Sequence, residues 1–187
     1  FWHVGAYMLA RRKLLRTARP VGEGAHAALL EQCRILNMRP VPLLCSEKIT
    51  TPVMLGLFRA VIVLPERAAE GEELCLVLRH ELLHHRQGDV AYKGLMLLCA
   101  CVHWFNPLVW WMGREAGRTV ELCCDDAVLR GCGTLQRRQY GELLLRTAQG
   151  PGTIPFSTRF GGGKGQLRGR LTNLFHPKRN SGVLVVL

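Results

Sequence analysis

Acidic residues are scarce in this chain of 187 residues, which has 14 of them against 25 lysines and arginines. The shortage is greatest from Arg130 onward, where ten basic side chains face a single acid, Glu142. The formal charge of +11 favours nucleic acid, an anionic membrane face or the cytoplasmic side of a membrane as a neighbour. Because no recognisable nucleic-acid-binding motif accompanies this charge, we expect no direct nucleic-acid partner.

Long apolar runs at the termini and paired cysteine motifs are also missing. Neither the apolar start nor the apolar end of the chain reaches the roughly 20 residues that cross a bilayer. We interpret both as stubs of membrane helices whose basic neighbours face the cytoplasm; the alternative is two ordinary termini of a soluble domain. The eight cysteines include no CxxC pair, so we expect reduced, mostly buried thiols rather than a disulfide framework.

The length suits one compact domain between these ends. We divide the chain into a membrane-helix stub with a basic juxtamembrane segment (1–19), a main domain (20–175) and a linker that starts a membrane helix (176–187). Three short apolar runs bounded by proline and glycine predict a small sheet, and most of the remaining main domain has helical spacing. The fold class is therefore α+β. The predicted strands are VPLLCS, TPVMLG and AVIVLP, of which the last two form a hairpin around residues 56–59.

The stretch HELLH, residues 80–84, has the form HExxH. The residue frequencies give about 0.015 chance occurrences in a chain of this length, so chance explains the motif poorly. Positions i and i+4 share one helix face, so His80 and His84 can present two imidazole nitrogens to one zinc ion. Glu81, next to the first ligand, can take a proton from the attacking water and pass it to the leaving amine. A helix that is rich in histidine and binds no metal is the alternative.

A catalytic zinc ion usually has three protein ligands, so two histidines are not enough. The later stretch VELCCDD offers Glu121 and Asp125, which are spaced i, i+4 on one helix face. We predict Glu121 as the third ligand. Asp125 is predicted to accept the other ring N–H of a ligand histidine, His80, and so to fix its tautomer. The alternative for both acids is a solvated acidic face.

Other polar residues are weaker candidates. His85 lies off the ligand face, and His103 stands among apolar residues that are typical of a core or interfacial position. A further donor is needed to stabilise the transition state, and Tyr140, His85 and Arg118 stay open for that role.

An uncharged run of 18 residues, 95–112, separates the histidines from Glu121. If this run crossed a bilayer once, His84 and Glu121 would lie on opposite sides and could not share a metal ion. The run must therefore turn back, and Asn106-Pro107 supplies the turn, with Asn as N-cap and Pro at the first helical position. We predict a helical hairpin whose aromatic tip contacts a membrane interface or further helices, the alternative being packing in the core.

Several ordered stretches resemble the metallopeptidase domain of the Bla/Mec type of antibiotic-sensor signal transducers, a family of integral-membrane zinc peptidases. The resemblance covers roughly residues 40–175 and implies a zincin-like fold with the gluzincin pattern, HExxH on the active-site helix followed by a later glutamate. It assigns zinc binding to His80, His84 and Glu121, general-base catalysis to Glu81 and support of a ligand to Asp125. The stretches are TPVMLGLFRAVIVLPE, HELLHHRQGD, HWFNPLVWW, ELCCDDAVL and FGGGKGQLRGRL.

The resemblance also implies a peptidase domain on the cytoplasmic side of a membrane, which relays a signal by cutting a transcriptional repressor or itself. It does not extend to a penicillin-binding sensor domain, so the inducing signal stays open. We predict a membrane-associated zinc endopeptidase with a protein or peptide substrate, membrane lipid as a second partner and a homodimer as a further option. The alternative is a catalytically silent metal-binding signal-transducing module, against which the intact Glu81 argues.

A peptide substrate of such an enzyme commonly binds as an added strand at the edge of a sheet. We predict AVIVLP as this edge strand, because it directly precedes the HExxH helix. The alternative is an internal strand.

Overall fold

The computed structural model describes residues 2–56, 59–66, 70–148 and 164–175, and these form an α+β fold, as predicted. The predicted linker at 176–187 lies outside the described residues. The helices are α1 (Trp2–Thr17), α2 (Glu23–Ile35), α3 (Gly71–Gln87), α4 (Asp89–Val102), α5 (Pro107–Val128), α6 (Thr134–Ala148) and α7 (Lys164–Phe175). The strands are β1 (Arg19–Pro20), β2 (Leu43–Ser46), β3 (Val53–Leu55) and β4 (Val61–Pro65).

The sheet has the order β1-β2-β4-β3, with β2 and β4 parallel and the other pairs antiparallel. The prediction that AVIVLP is an edge strand is therefore wrong, because β4 pairs with a strand on each side. Within the described residues, neither edge of the sheet offers a long open strand. β1 has only two residues, one of them a proline that cannot donate a backbone hydrogen bond, and every residue of β3 is buried.

The predicted hairpin between β3 and β4 is confirmed, with Leu55 opposite Val61 in the antiparallel register. Gly56 turns the chain with a φ of +100°, in the region that favours glycine. A Cβ atom at this position would lie 2.1 Å from the carbonyl oxygen of Arg59. The turn therefore requires glycine both for its backbone angle and for its close approach.

Both faces of the sheet are covered. Side chains alternate along a strand, so Ile62 and Leu64 point to one face and Val63 to the other. The larger core lies on the first face and joins the sheet to α2, α3, α5 and α6. The smaller core on the second face contains Val63 and Leu14 of α1. The helix within the predicted stub thus packs on the sheet, and the proposed domain division at residue 19 stays a prediction.

Gly88 ends α3, as its position in the sequence suggests. It adopts a left-handed conformation with φ +72°, and α4 begins at the next residue, Asp89. This conformation carries little cost for glycine and is a common way to close a helix. The chain therefore changes direction at Gly88 without an intervening loop. This change of direction places Asp89, the first residue of α4, against His84 in the last turn of α3.

The predicted helical hairpin is confirmed and consists of α4 and α5. The Asn106 side chain accepts a hydrogen bond of 3.0 Å from the backbone N–H of Leu108, and Pro107 is the first residue of α5. The hairpin tip, which we define as residues 104–111, is strongly exposed, and its aromatic residues do not pack in the core. Its large apolar side chains, each at least half exposed, are Trp104, Phe105, Leu108, Trp110 and Trp111.

Among the described helices, none combines the length and apolar character that a bilayer-spanning helix needs.

Candidate metal centre

Helix α3 brings the two histidines of HExxH together, as the i, i+4 spacing predicts. The Nε2 atoms of His80 and His84 lie 3.0 Å apart, and the two rings meet edge to face. His84 is 1% exposed, and Glu81 is also buried. The motif therefore points into the protein rather than into solvent.

Hydrogen bonds on the far side of each ring select its tautomer. Nδ1 of His84 lies 2.5 Å from Oδ2 of Asp89, so this nitrogen carries the proton that it donates to the carboxylate. Nδ1 of His80 lies 2.9 Å from the hydroxyl of Tyr140, which donates its own proton to Asp125 Oδ1 at 2.6 Å. The hydroxyl oxygen must then accept from His80. In both rings the Nε2 lone pair faces the other histidine.

Two lone pairs 3.0 Å apart repel each other unless a cation satisfies both. Glu121 completes the convergence, because its Oε2 and Oε1 atoms lie 3.8 Å from Nε2 of His80 and of His84, respectively. Oε1 of Glu121 is buried and has no hydrogen-bond partner among the described residues. Two imidazole nitrogens and one carboxylate oxygen are a donor set that suits Zn²⁺. The residues present therefore fit the metal that the motif implies.

The formal charge of this cluster also fits a divalent cation. Four buried carboxylates, those of Glu81, Asp89, Glu121 and Asp125, lie in or around the site. Two cations accompany them: the buried Lys93, with Nζ 3.9 Å from Glu121 Oε1, and Arg170, whose side chain is 16% exposed. With both histidines neutral, as metal binding requires, the formal charge of the cluster is −2, which an ion of charge +2 compensates. Burying charges that are not compensated costs free energy.

The pKa values of the two histidines differ in direction. Burial lowers the pKa of His80 well below its ordinary value, and the nearby charges of His84, Arg170 and Lys93 lower it further. Burial also acts to lower the pKa of His84. The hydrogen bond to Asp89 and the neighbouring Glu121 and Glu81 carboxylates outweigh that effect and raise it. The carboxylates around His84 thus favour its protonated form, whereas burial and nearby cations favour the neutral form of His80.

Asp125 lies close to its predicted place, but it reaches His80 through another residue. Its Oδ1 atom is 3.7 Å from Nδ1 of His80, and the Tyr140 hydroxyl bridges the two groups. Both Asp125 and Glu121 are buried, so the alternative of a solvated acidic face is wrong. Burial and the Asp125 carboxylate raise the pKa of Tyr140 well above its ordinary value, which keeps the bridging hydroxyl protonated.

Two of the three candidate donors for transition-state stabilisation, Tyr140 and Arg118, make their contacts away from the Nε2 atoms of the histidines, and the third, His85, is half-buried on α3. Tyr140 touches the opposite, Nδ1 side of His80. Arg118 is exposed and pairs with Glu115 at 2.7 Å. His103, for which a core or interfacial position was predicted, does not lie in the core: it is exposed, and its Nδ1 atom lies 3.2 Å from the carbonyl oxygen of Cys99.

Three residues of the site were missed by sequence reasoning: Asp89, Lys93 and Arg170. Asp89 stands at the end of the conspicuous stretch HELLHHRQGD, but its use depends on the turn at Gly88. Asp89 and Lys93 are spaced i, i+4 on α4, and this spacing predicts from sequence alone that they share one helix face. Arg170 lies 45 residues beyond its partner Asp125 in the sequence, and no local sequence pattern predicts such a contact.

Cys124 is also close enough to belong to a ligand set. Ligand atoms of His80, His84 and Cys124 all lie within 4.8 Å of one another. The thiol, however, is 3.4 Å from Nδ1 of His80, the nitrogen that Tyr140 already contacts. Burial, with the nearby Asp125 and other carboxylates, raises the pKa of this thiol, which favours the protonated form that binds metal poorly.

Comparison with known proteins agrees with this arrangement. The profile of the family described as BlaR1 peptidase M56 matches residues 1–174. The regulatory protein BlaR1 of Bacillus licheniformis is 36% identical over 103 residues, which are 54% of this chain and 17% of that protein. The methicillin resistance mecR1 proteins of Staphylococcus aureus and Staphylococcus epidermidis are 29% identical over 104 residues, 54% of this chain and 18% of theirs. The match thus spans less than a fifth of these relatives, but the family profile covers nearly the whole chain, which therefore belongs to the BlaR1 peptidase M56 family.

Proposed function

We propose that this chain is the catalytic part of a membrane-associated zinc metalloendopeptidase that cuts a regulatory protein or itself during signal transduction. The observation that carries the proposal is the convergence of the two Nε2 atoms of His80 and His84, 3.0 Å apart, with the Glu121 carboxylate, whose Oε2 and Oε1 atoms lie 3.8 Å from His80 and His84, respectively. Glu81 stands beside His80 in the sequence. Membership of a metallopeptidase family supports it. The arrangement is that of HExxH followed by glutamate, which makes the zincin-like fold part of the proposal.

The three ligands and the general base have separate tasks. His80, His84 and Glu121 would hold the zinc ion. When bound, zinc acts as a Lewis acid that polarises the scissile carbonyl and makes water easier to deprotonate. Glu81 accepts the proton of the attacking water and later delivers it to the amine that leaves. The burial of Glu81 keeps this transfer away from bulk solvent.

Glu121 is a better third ligand than Cys124 on structural grounds. The carboxylate faces the Nε2 atoms, whose lone pairs are available, whereas the thiol faces Nδ1 of His80. Use of Cys124 would therefore require His80 to rotate and to break its hydrogen bond with the Tyr140 hydroxyl. Breaking such a buried chain of hydrogen bonds is costly.

The exposed hairpin tip supports the membrane part of the proposal. Three of the four tryptophans of the chain lie in the tip, and aromatic side chains of this kind prefer the interface between lipid and water. The formal charge of +11 favours an anionic lipid surface. We propose that the tip contacts this interface and that the metal centre at the other end of α5 faces the cytoplasm.

Metal analysis and the variant Glu81→Gln test the proposal. The purified protein is expected to bind about one zinc ion per chain, and the variant should keep the metal because glutamine at this position removes the base and no ligand. Cleavage of a peptide library, or of the chain itself as detected by mass spectrometry, should fall by about 10²–10⁴-fold. The matched control is Glu72→Gln, an exposed position on the same helix.

Two outcomes would contradict the proposal. Absence of bound zinc after purification in zinc-containing buffer would exclude the metal centre. Bound zinc with no cleavage of any peptide by either protein, while signalling persists in the Glu81→Gln variant, would instead support the catalytically silent signal-transducing module.

A further inference from the structure

We propose that Arg170 is a positioning residue that locks together the two separate supports of the metal centre; this inference rests on the proposed metal site. The guanidinium group binds Asp125 through two parallel contacts of 2.6 Å, from Nε to Oδ2 and from Nη2 to Oδ1. Its third nitrogen, Nη1, lies 3.1 Å from Oε2 of Glu121. The Arg170 side chain thus binds both Glu121, a proposed ligand, and Asp125, the carboxylate that reaches the ligand His80 through Tyr140.

The two carboxylates need such a partner. Glu121 and Asp125 are one helical turn apart on α5, both are buried, and like charges at this spacing repel each other. A guanidinium has five N–H donors in a rigid plane, and it can bind one carboxylate with two of them while a third reaches another. A lysine ammonium is a point charge on a flexible stem and cannot reproduce this fork.

Arg170 also determines which oxygen of Glu121 remains available. Its Nη1 atom occupies Oε2, whereas Oε1 is the buried atom that has no hydrogen-bond partner among the described residues. The guanidinium therefore holds the carboxylate in a rotamer that turns Oε1 toward His84, with 3.8 Å between Oε1 and Nε2 and the Lys93 ammonium 3.9 Å from the same oxygen. A carboxylate without this contact would gain rotational freedom, which the metal would have to remove on binding.

The second support runs through Asp125. Its Oδ1 atom receives the Tyr140 hydroxyl as well as Arg170, and Tyr140 in turn contacts Nδ1 of His80. Arg170 therefore stands where two paths to the metal meet: one directly through Glu121, the other through Asp125 and Tyr140 to His80. Loss of its fork would disturb two of the three ligands at once.

Helix α7 delivers Arg170 on a firm base. Leu174 is 3% exposed, and its Cδ2 atom lies so near Gly141 of α6 that a Cβ there would be 3.2 Å away. Asn173 donates a hydrogen bond of 2.8 Å to Asp126, the next acid of α5. Because Nε, Nη1 and Nη2 of Arg170 all point at protein carboxylates, we assign it to positioning rather than to contact with the substrate.

Three variants test this assignment: Arg170→Met, Arg170→Lys and, as the matched control, Arg168→Met at an exposed site of the same helix. Zinc affinity is measured on the whole purified protein by competition with a chromophoric chelator. Thermal unfolding in EDTA reports the fold without metal. We expect Arg170→Met to lose affinity by about 10–100-fold, the usual effect of removing a partner of a ligand. Arg170→Lys should lose about 5-fold or more because it keeps the charge and lacks the fork. Arg168→Met should bind as the original chain does.

The outcomes separate this inference from the proposed function. If the original chain binds no zinc, both are overturned. If it binds zinc and a folded Arg170→Met variant binds equally well, only the role of Arg170 is overturned. If the methionine variant does not fold, the lysine variant decides: reduced affinity supports the fork, and unchanged affinity overturns it.

Discussion

Asp89 and His84 form a buried pair with 2.5 Å between Oδ2 and Nδ1, although they belong to different helices. The carboxylate fixes the tautomer that leaves Nε2 of His84 free to bind metal. We predict that Asp89→Ala lowers zinc affinity by about 10–100-fold, with Asp89→Asn intermediate because the amide oxygen can still accept the hydrogen bond. Chelator competition measures both.

The matched control for Asp89 is Glu72→Ala, since Glu72 is an exposed acid in the first turn of α3, the helix that carries His84. Equal zinc affinity in Asp89→Ala and the original chain would show that the ring of His84 needs no support.

Tyr140→Phe should uncouple His80 from Asp125 and leave the aromatic ring packed in the core. The loss of a buried hydrogen bond to a carboxylate is expected to lower the free energy of unfolding by about 1.5–3 kcal/mol. Zinc affinity should fall as well, because His80 would no longer be held in one tautomer. Urea unfolding and zinc titration measure the two effects, and Tyr92→Phe, at an exposed tyrosine, serves as the control.

The identity of the third ligand can be decided with two substitutions. Glu121→Gln should lower zinc affinity by about 10²-fold or more, because a neutral amide replaces a charged ligand. Cys124→Ala should retain zinc affinity and cost only stability. Absorption of the Co²⁺-substituted protein gives an independent readout, because a thiolate ligand adds a charge-transfer band that Cys124→Ala would abolish. Such a band in the original chain would contradict our choice of Glu121.

The hairpin tip should lie within reach of lipid. In vesicles that contain brominated lipids, we expect quenching of most of the tryptophan emission, because Trp104, Trp110 and Trp111 are exposed in the tip. Replacing these three residues with phenylalanine should remove the quenched component. Unquenched emission at the wavelength of water-exposed indole would contradict contact between the tip and the bilayer.

Gly56→Ala should destabilise the β3–β4 hairpin. The positive φ and the approach to the Arg59 carbonyl together leave no room for a Cβ atom, and we expect a loss of about 1–3 kcal/mol in the free energy of unfolding. Gly24→Ala is the matched control, because Gly24 lies inside α2, has no positive φ, and a Cβ there would meet nothing within 4 Å. Equal stability of the two variants would contradict the strain argument.

Local periodicity made much of this site predictable. The helical repeat places His80 beside His84 and Glu121 beside Asp125, and a helix begins at Asn106-Pro107 for reasons confined to those residues. The need for all ligands to meet then predicts the hairpin. The structure brings these residues together, and their catalytic roles stay predictions.

The errors concern relationships between distant segments. A run such as AVIVLP shows that a strand forms, but it does not show which strands lie beside it, and β4 is internal because β2 joins it in parallel. The role of Arg170 could not be predicted from the sequence, because its partners Glu121 and Asp125 lie on another helix. The two-residue strand β1 exists only through its pairing with β2.

The left-handed turn at Gly88 extends the functional sequence pattern beyond the five residues of HExxH, because it allows Asp89 to bind His84. In an uninterrupted helix, residues five apart point about 140° away from each other, so an acid at position 89 would face away from His84. One glycine in the right place returns that acid to the ring. The pattern to seek in other chains is therefore HExxH followed by three residues, a glycine and an acid. This pattern predicts, from sequence alone, a carboxylate that hydrogen-bonds to the second histidine of the motif.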